Sequence, residues 1–329
     1  MDYTALPKVE LHLHLDCSLS YEAVARIDPS VTLREYQQSY NGPEKYSDLS
    51  EFFGRAPKGT ALMQTEEQLR LVTGDVFKQL ELDHVIYAEI VLVPTMHTGQ
   101  GLTPDEVVEI VDDAVARESE ASGIEARLIL STLRHYSPQQ SMATVKQVER
   151  FMGRHVGGID LGAYEAGYPI YAHIAAYQYA AQQGIPRTVH AGEARGPDSV
   201  WETLKHLRPS RIGHGVRSIE DPALVAHLRQ ERIHLEICPS SNIQIDLFED
   251  YAHHPINVFY EEGLSIGVNT DTRMIANVTL AQEYEKLNRA FGWDERHFLR
   301  CNLDALAAAF APDALKQPLE HRLRAGYEG

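Results

Sequence analysis

The sequence has few cysteines and few basic residues. Its three cysteines, Cys17, Cys238 and Cys301, are scattered over 329 residues. Disulfide-stapled domains and cysteine-rich zinc modules need more cysteines at closer spacing, so both classes are excluded. With 30 lysine and arginine residues against 47 acidic ones, the formal net charge is −17 at pH 7. Such a chain repels polyanions, and we expect no nucleic-acid partner.

Long hydrophobic runs are also missing. No segment approaches the roughly 18 uninterrupted apolar residues of a membrane-spanning helix. Met1–Lys8 has no basic flank followed by an apolar stretch, so it does not resemble a signal peptide. Together with the low cysteine count, these features predict a cytoplasmic protein with no membrane partner. They leave the oligomeric state open.

Short apolar, β-branched runs alternate with helical stretches along the chain. This alternation favours parallel strands joined by crossover helices, of which Ile170–Gln183, Ser199–Leu207 and Pro222–Gln230 are examples. Eight parallel strands suggest an α/β fold closed into a (β/α)₈ TIM barrel, as one domain over residues 1–329. The predicted strands are Val9–Leu15, Val85–Val93, Ala126–Leu133, Val156–Leu161, Arg187–His190, Arg211–Val216, His234–Cys238 and Ser265–Asn269.

One connection is far longer than a crossover requires. Residues 16–83 separate the first two predicted strands and contain a predicted helix, Thr65–Leu80. Insertions at the C-terminal mouth of a barrel commonly cover the ligand site, so we expect this one near the active-site mouth. Four apolar residues of the insertion could either form a wall of that site or pack against the barrel: Phe52, Phe53, Leu62 and Met63.

The first predicted strand carries two histidines near its end, His12 and His14. Residues i and i+2 of a strand face the same side, so both rings point into the barrel, where neutral imidazole suits zinc. A histidine pair alone could equally be satisfied by polar neighbours in the barrel centre. The zinc interpretation therefore depends on further ligands.

Other strand ends supply such groups. His190 ends the fifth predicted strand and Asp271 follows the eighth, and the carboxyl ends of barrel strands converge on one point. Three histidines and an aspartate form a suitable N/O set for zinc, with room for water. Glu193 follows a candidate ligand by three residues and can donate a proton. His214, between two glycines at the sixth strand end, suits a ring that holds an attacking water.

These residues resemble the motifs of the adenosine deaminase family, in order along nearly the whole chain. The motifs are His12-Leu-His14-Leu-Asp16, His190-Ala-Gly-Glu193, Gly213-His214-Gly215 and Asn269-Thr-Asp271. The resemblance implies a zinc-dependent hydrolase that converts adenosine, and 2′-deoxyadenosine, to inosine and ammonia. The chemistry agrees, because attack on purine C6 at neutral pH needs a hydroxide, which zinc provides, and a proton donor.

The resemblance also implies a role for each site residue. The implied ligands of one zinc ion per chain are His12, His14, His190 and Asp271. The implied catalytic residues are Glu193, which protonates purine N1, His214, which orients the hydroxide, and Asp271. In substrate binding, Asp16 contacts the ribose 5′-hydroxyl, and a backbone N–H of Gly162 or Ala163 contacts N3.

Three positions depart from the family pattern. Thr272 stands where many members carry a second aspartate that binds purine N7, although a hydroxyl can still donate there. Cys17 stands where a glycine commonly follows the aspartate, and Gly162-Ala163 replaces the usual Ala-Gly. These departures bear on the purine and its substituents more than on the reaction.

Rival functions lack sequence features that they need. Two-metal hydrolases of the superfamily generally place a modified lysine at the end of strand four, and Val156–Glu165 contains no lysine. Cytidine-deaminase-type zinc enzymes carry His-x-Glu and Pro-Cys-x-x-Cys elements, which are missing. A non-catalytic binding barrel would be expected to lose a ligand or the proton donor, and neither is lost.

The substrate is a small purine nucleoside by the same resemblance. Adenine-specific relatives tend to carry glutamate where this chain has Asp16, so the aspartate favours a ribosyl substrate. AMP is disfavoured because its phosphate would need an arginine or lysine cluster at the mouth. Adenine, aminodeoxyfutalosine and N6-substituted adenosines remain alternatives, given Thr272 and Cys17.

Overall fold

The computed structural model describes residues 2–46, 51–52 and 54–328. Within them, parallel strands form two four-stranded groups, β1 to β4 and β5 to β8, each in sequence order. The strands are β1 Lys8–His14, β2 Val85–Leu92, β3 Glu125–Leu133, β4 Val156–Gly162, β5 His190–Ala191, β6 Arg211–His214, β7 His234–Ile237 and β8 Ile266–Val268.

Single bridges at both seams join the two groups. At one seam, Asp271 N donates to His12 O at 3.0 Å, and His14 N donates to Asp271 O at 2.8 Å. At the other, Thr188 N donates to Ile159 O at 2.9 Å. The predicted (β/α)₈ barrel is confirmed, and its first seam brings Asp271 beside the two histidines of β1.

Helices surround the strands. The α-helices are α1 Tyr21–Ile27, α2 Leu33–Ser39, α3 Ala56–Ala61, α4 Glu66–Leu82, α5 Pro104–Ser122, α6 Pro138–Phe151, α7 Ile174–Gln182, α8 Pro197–His206, α9 Pro222–Glu231, α10 Pro239–Gln244, α11 Ile256–Glu261, α12 Arg273–Ala276, α13 Leu280–Phe291, α14 Glu295–Ala308 and α15 Asp313–Tyr327. Short 3₁₀ segments are Leu15–Cys17, Pro94–His97, Ile170–His173, Val216–Glu220 and Tyr251–His253. None of these helices in the described ranges is long and apolar enough to cross a membrane.

Local sequence sets where several helices begin. At α4, Thr65 Oγ1 accepts from Gln68 N at 3.3 Å, and the Gln68 side chain accepts from Thr65 N at 3.1 Å. This reciprocal capping satisfies amides that have no partner within the helix. The helix predicted from residue 65 onward is thereby confirmed, and it extends two residues beyond the predicted end at Leu80.

The insertion after β1 is helical, as predicted. It contributes α1, α2 and α3, and α4 then packs against β2 as the crossover helix. A Cβ at Gly59 of α3 would overlap the carbonyl oxygen of Asp16, so a glycine is needed where α3 meets the 3₁₀ segment Leu15–Cys17 that follows β1. The prediction that residues 1–329 form one domain stays a prediction.

Candidate active site

Four side chains converge at the carboxyl ends of β1, β5 and β8. His14 Nε2 lies 3.2 Å from His190 Nε2, 3.3 Å from His12 Nε2 and 3.3 Å from Asp271 Oδ1. His12 Nε2 is 3.6 Å from Asp271 Oδ1. Tetrahedral zinc with bonds of about 2.0–2.1 Å would hold its ligand atoms about 3.3 Å apart. His12, His14 and His190 form one group that could hold a metal ion, and His12 and Asp271 form a second with His214. The four predicted ligands therefore lie together, and the separations from His14 Nε2 fit a single metal ion.

Buried carboxylates orient two of these histidines. Glu236 Oε2 lies 2.8 Å from His12 Nδ1, and Asp160 Oδ1 lies 2.9 Å from His190 Nδ1. A carboxylate at Nδ1 holds the proton there and leaves Nε2 free as a ligand. Neither Glu236 nor Asp160 was predicted. Their signal in the sequence is a lone carboxylate within an apolar strand.

The Glu236 carboxylate is itself anchored deep in the barrel. Its Oε1 accepts from Thr188 Oγ1 at 2.8 Å and lies 2.7 Å from Arg211 Nε. Arg211 Nη2 continues the network to Glu89 Oε2 at 2.5 Å. Burial raises the pKa of Glu236, while Arg211 opposes that change. This chain of buried charges ties the orientation of His12 to β2 and β6.

The fourth candidate ligand is held in a strained backbone conformation. Asp271 has φ 60°, and His214 and Ala163 have φ 63° and 74°, in the left-handed region that favours glycine. Such residues commonly cluster at functional sites, at a cost of about 1–3 kcal/mol each. Ser241 Oγ donates to Asp271 Oδ2 at 2.6 Å, which leaves Oδ1 facing the histidines.

Glu193 and His214 lie beside the ligand cluster and share a neighbour, Asn242. Asn242 Nδ2 is 3.1 Å from Glu193 Oε1 and 3.2 Å from His214 Nδ1. Burial, followed by the charge of Asp271, raises the pKa of Glu193 to about 8, so this carboxyl can hold a proton near neutral pH. Burial lowers the pKa of His214 to about 3 and favours the neutral ring. Asn242 was not predicted, because no motif marks it in the sequence.

One cavity of about 300 Å³ is lined by His14, His190, Glu193, His214 and Asp271. The predicted substrate contacts Asp16, Gly162, Ala163 and Thr272 also line it. Phe52 of the insertion forms part of its apolar wall. Leu62 and Met63 pack in the core instead, and Phe53 lies outside the described residues. Among described residues, none that lines the cavity is a lysine or an arginine.

The model of the adenosine deaminase family matches residues 7–325. This chain belongs to the adenosine deaminase family. An adenosine deaminase from Mycobacterium marinum is 33% identical, with 92% of this chain and 90% of the relative covered. The crystal structure of an adenine deaminase from Arthrobacter aurescens is similar at a TM-score of 0.90 and 27% identity, covering 98% of this chain and 100% of that one. An amidohydrolase from Burkholderia ambifaria, solved with bound zinc, has a TM-score of 0.90 at 23% identity, with 99% and 92% covered.

As a member of the adenosine deaminase family, the chain is a metal-dependent hydrolase that acts on C–N bonds. Its reaction is the deamination of a 6-aminopurine.

The departures from the family pattern all lie at the cavity. Thr272 is only 4% exposed, and its Oγ1 has no hydrogen-bond partner among the described residues. Cys17 is buried beside Asp16, whose Oδ2 accepts from Thr60 Oγ1 of α3 at 2.9 Å.

A fourth unpredicted residue, Glu165, supports the loop that carries Glu193. Glu165 is buried and accepts from three backbone amides, Gly192 N at 2.8 Å, Glu193 N at 3.1 Å and Arg195 N at 2.8 Å. Its carboxylate thus holds the backbone of Glu193 in place. A glutamate in a loop after β4 has no sequence feature that distinguishes it from a surface residue.

Proposed function

We propose that this chain hydrolyses adenosine and 2′-deoxyadenosine to inosine and ammonia, with one zinc ion per chain. The observation that carries the proposal is the cluster of candidate metal ligands beside one cavity, which is also lined by the carboxyl of Glu193 and the imidazole of His214. Zinc bound by His12, His14, His190 and Asp271 would lower the pKa of a water molecule, so that hydroxide is available near neutral pH.

Glu193 is the proton donor of the proposed reaction. Its raised pKa keeps a proton on the carboxyl near neutral pH, and transfer of that proton to purine N1 makes C6 a better electrophile. Because Glu165 fixes its backbone and Asn242 fixes one carboxyl oxygen, Glu193 loses little orientational freedom before transfer. His214, neutral when buried, contacts the attacking oxygen through a hydrogen bond.

Purine and ribose contacts come from the cavity wall. Asp16 binds the ribose 5′-hydroxyl, and a backbone N–H of Gly162 or Ala163 binds N3. Thr272 donates to N7, a role supported by its buried hydroxyl without a partner. A substrate phosphate is disfavoured because the described cavity lining holds no lysine or arginine and carries three acidic residues, Asp16, Glu193 and Asp271.

Free adenine is the second candidate substrate. The similar crystal structure of an adenine deaminase favours it, and the cavity of about 300 Å³ admits a purine with or without ribose. Aminodeoxyfutalosine and N6-substituted adenosines are further candidates because Thr272 and Cys17 change the family pattern at the cavity.

A purine panel tests the proposal. The zinc-loaded protein is assayed for ammonia release from adenosine, 2′-deoxyadenosine, adenine, AMP and aminodeoxyfutalosine. We expect the highest kcat/KM with the two nucleosides. A higher kcat/KM with adenine would make the free base, not the nucleoside, the preferred substrate. Failure to release ammonia from any of these 6-aminopurines would contradict the proposal.

A further inference from the structure

Asn242 is the centre of a buried hydrogen-bonded chain that ends at the two groups proposed for proton handling. The side chain belongs to α10 and is 0% exposed. On one side it meets His254, whose Nε2 lies 3.4 Å from Asn242 Oδ1. On the other side it meets Glu193 Oε1 and His214 Nδ1. The donor and acceptor of each contact can be assigned from one end of the chain.

The assignment begins at a backbone amide, which can only donate. Ile256 N donates to His254 Nδ1 at 3.2 Å, so Nδ1 is an acceptor without a proton. The neutral ring then carries its proton on Nε2, which donates to Asn242 Oδ1. Burial lowers the pKa of His254 to about 3, in keeping with a neutral ring. His254 also packs edge-on against Phe248, with ring centroids 4.9 Å apart.

The orientation of the Asn242 amide follows from this donor. With Oδ1 facing the His254 N–H, the two hydrogens of Nδ2 point to the opposite side. They reach Glu193 Oε1 at 3.1 Å and His214 Nδ1 at 3.2 Å. Both of these atoms must therefore be acceptors.

We propose that Asn242, oriented by His254, is a positioning residue that keeps the proton of His214 on Nε2 and the proton of Glu193 on Oε2. The inference rests on the proposed roles of these two residues. The proposal specifies the atom that carries a hydrogen toward the substrate: Nε2 in His214 and Oε2 in Glu193. Glu193 Oε2 then gives its proton to purine N1, and the carboxylate left behind still accepts from Asn242.

The direct contact between Glu193 and His214 shows what Asn242 prevents. Glu193 Oε1 lies 3.4 Å from His214 Nδ1, longer than either contact to Asn242. Without the Asn242 amide, a proton on His214 Nδ1 could bond to Glu193 Oε1. The ring would then offer the cavity a bare Nε2, an acceptor in place of a donor. The amide excludes this arrangement, because a proton on Nδ1 would face the hydrogen of Nδ2.

Nitrogen NMR of the zinc-loaded protein with ¹⁵N-labelled histidine tests the proton positions directly. The two neutral tautomers of imidazole differ in which ring nitrogen carries the proton, and their nitrogen shifts and ring couplings distinguish them. His214 and His254 signals are assigned by their loss in His214→Gln and His254→Gln. We expect both rings in wild type to carry the proton on Nε2. A proton on Nδ1 of His214 in wild type would overturn the proposal, whatever the activity.

Asn242→Asp tests whether the amide is the cause. A carboxylate of the same shape can only accept, so we expect the His214 proton to move to Nδ1 and kcat to fall about 10–100-fold, with a smaller change in KM. Zinc content and melting temperature of the variant identify a merely structural effect. An unchanged His214 tautomer in the folded variant would contradict the proposal.

Variants of His254 keep the test open if Asn242→Asp does not fold. Glutamine at position 254 offers an N–H donor near the place of Nε2, whereas leucine offers none. We expect His254→Leu to lose about tenfold in kcat, and His254→Gln to recover most of it. Equal losses in the two variants would assign His254 to packing. Failure of the proposed function would give a different result. Glu193→Gln would then retain its turnover, whether or not His214 and His254 of the wild-type protein carry their protons on Nε2.

Discussion

His12 Nδ1 lies 2.8 Å from Glu236 Oε2, although the two residues are 224 positions apart in the sequence. This contact turns Nε2 of the ring toward His14 and Asp271, where a metal ion fits. Two of the three candidate histidine ligands have such a carboxylate, so much of the orientation of the site is built before metal binds. Four predictions test the site that this arrangement forms.

The first prediction is one zinc ion per chain. His190→Ala removes a candidate ligand whose Nε2 lies 3.2 Å from His14 Nε2, so the purified variant should lose most of its zinc and all measurable turnover. The matched control is His253→Ala, a surface histidine that should keep wild-type zinc content. Metal analysis by mass spectrometry of the dialysed proteins is the measurement. Two tightly bound equivalents, or unchanged zinc in His190→Ala, would contradict a single site.

The second prediction separates proton donation from metal binding. Glu193→Gln keeps the shape and the contact with Asn242 but cannot transfer a proton, so kcat should fall about 10²–10⁴-fold with zinc and fold unchanged. Glu231→Gln on the exposed end of α9 is the control and should match wild type. Retention of more than about a tenth of kcat would remove Glu193 from the mechanism.

The fold and the meeting of the candidate metal ligands could be predicted because they depend on local patterns. Strand periodicity places His12 and His14 on one side, and the geometry of a parallel barrel gathers strand ends. The bounds of the fifth strand were predicted least accurately. The prediction was Arg187–His190, whereas only His190–Ala191 forms a regular ladder with β6. Before β5, Arg187 pairs with β4 only through a single bridge to Ile159, and no local sequence pattern specifies this bridge.

The residues that support the site were missed because tertiary contacts alone give them their role. Glu165 contacts amides 27 to 30 positions away, and nothing in its own neighbourhood distinguishes it. Apolar character likewise could not separate Phe52, which lines the cavity, from Met63, which is 0% exposed in the core. Side chains of one type receive different roles once the chain is folded.

The third prediction concerns the backbone at Ala163. Its φ of 74° costs a residue with a Cβ about 1–2 kcal/mol, and glycine removes that cost while gaining freedom in the unfolded chain. Ala163→Gly should therefore raise the free energy of unfolding by roughly 0.5–1 kcal/mol. The same substitution at Ala116, within helix α5, should lower it by about 1 kcal/mol.

Urea unfolding at fixed zinc concentration measures both variants, because bound metal adds to the stability of the folded state. A destabilised Ala163→Gly would mean that the methyl group makes a contact worth more than the backbone strain. In that case the Gly162-Ala163 order would be a packing feature of this chain.

The last prediction concerns Thr272, which lines the cavity and whose buried hydroxyl has no hydrogen-bond partner among the described residues. Thr272→Val keeps the shape of the side chain and deletes the hydroxyl. If Thr272 donates to purine N7, kcat/KM for adenosine should fall by the equivalent of about 1–3 kcal/mol, because N7 is then buried without a hydrogen-bond donor. The measurement is the ratio of kcat/KM between wild type and variant at saturating zinc.

A substrate without N7 is the control that assigns the loss to this contact. In 7-deazaadenosine a carbon replaces N7, so the hydroxyl of Thr272 has nothing to donate to and its removal should change kcat/KM little. Equal losses on both substrates would mean that Thr272 acts through the neighbouring Asp271, whose backbone is already strained at φ 60°. Zinc content separates that outcome further, since a displaced Asp271 would weaken the metal site as well as turnover.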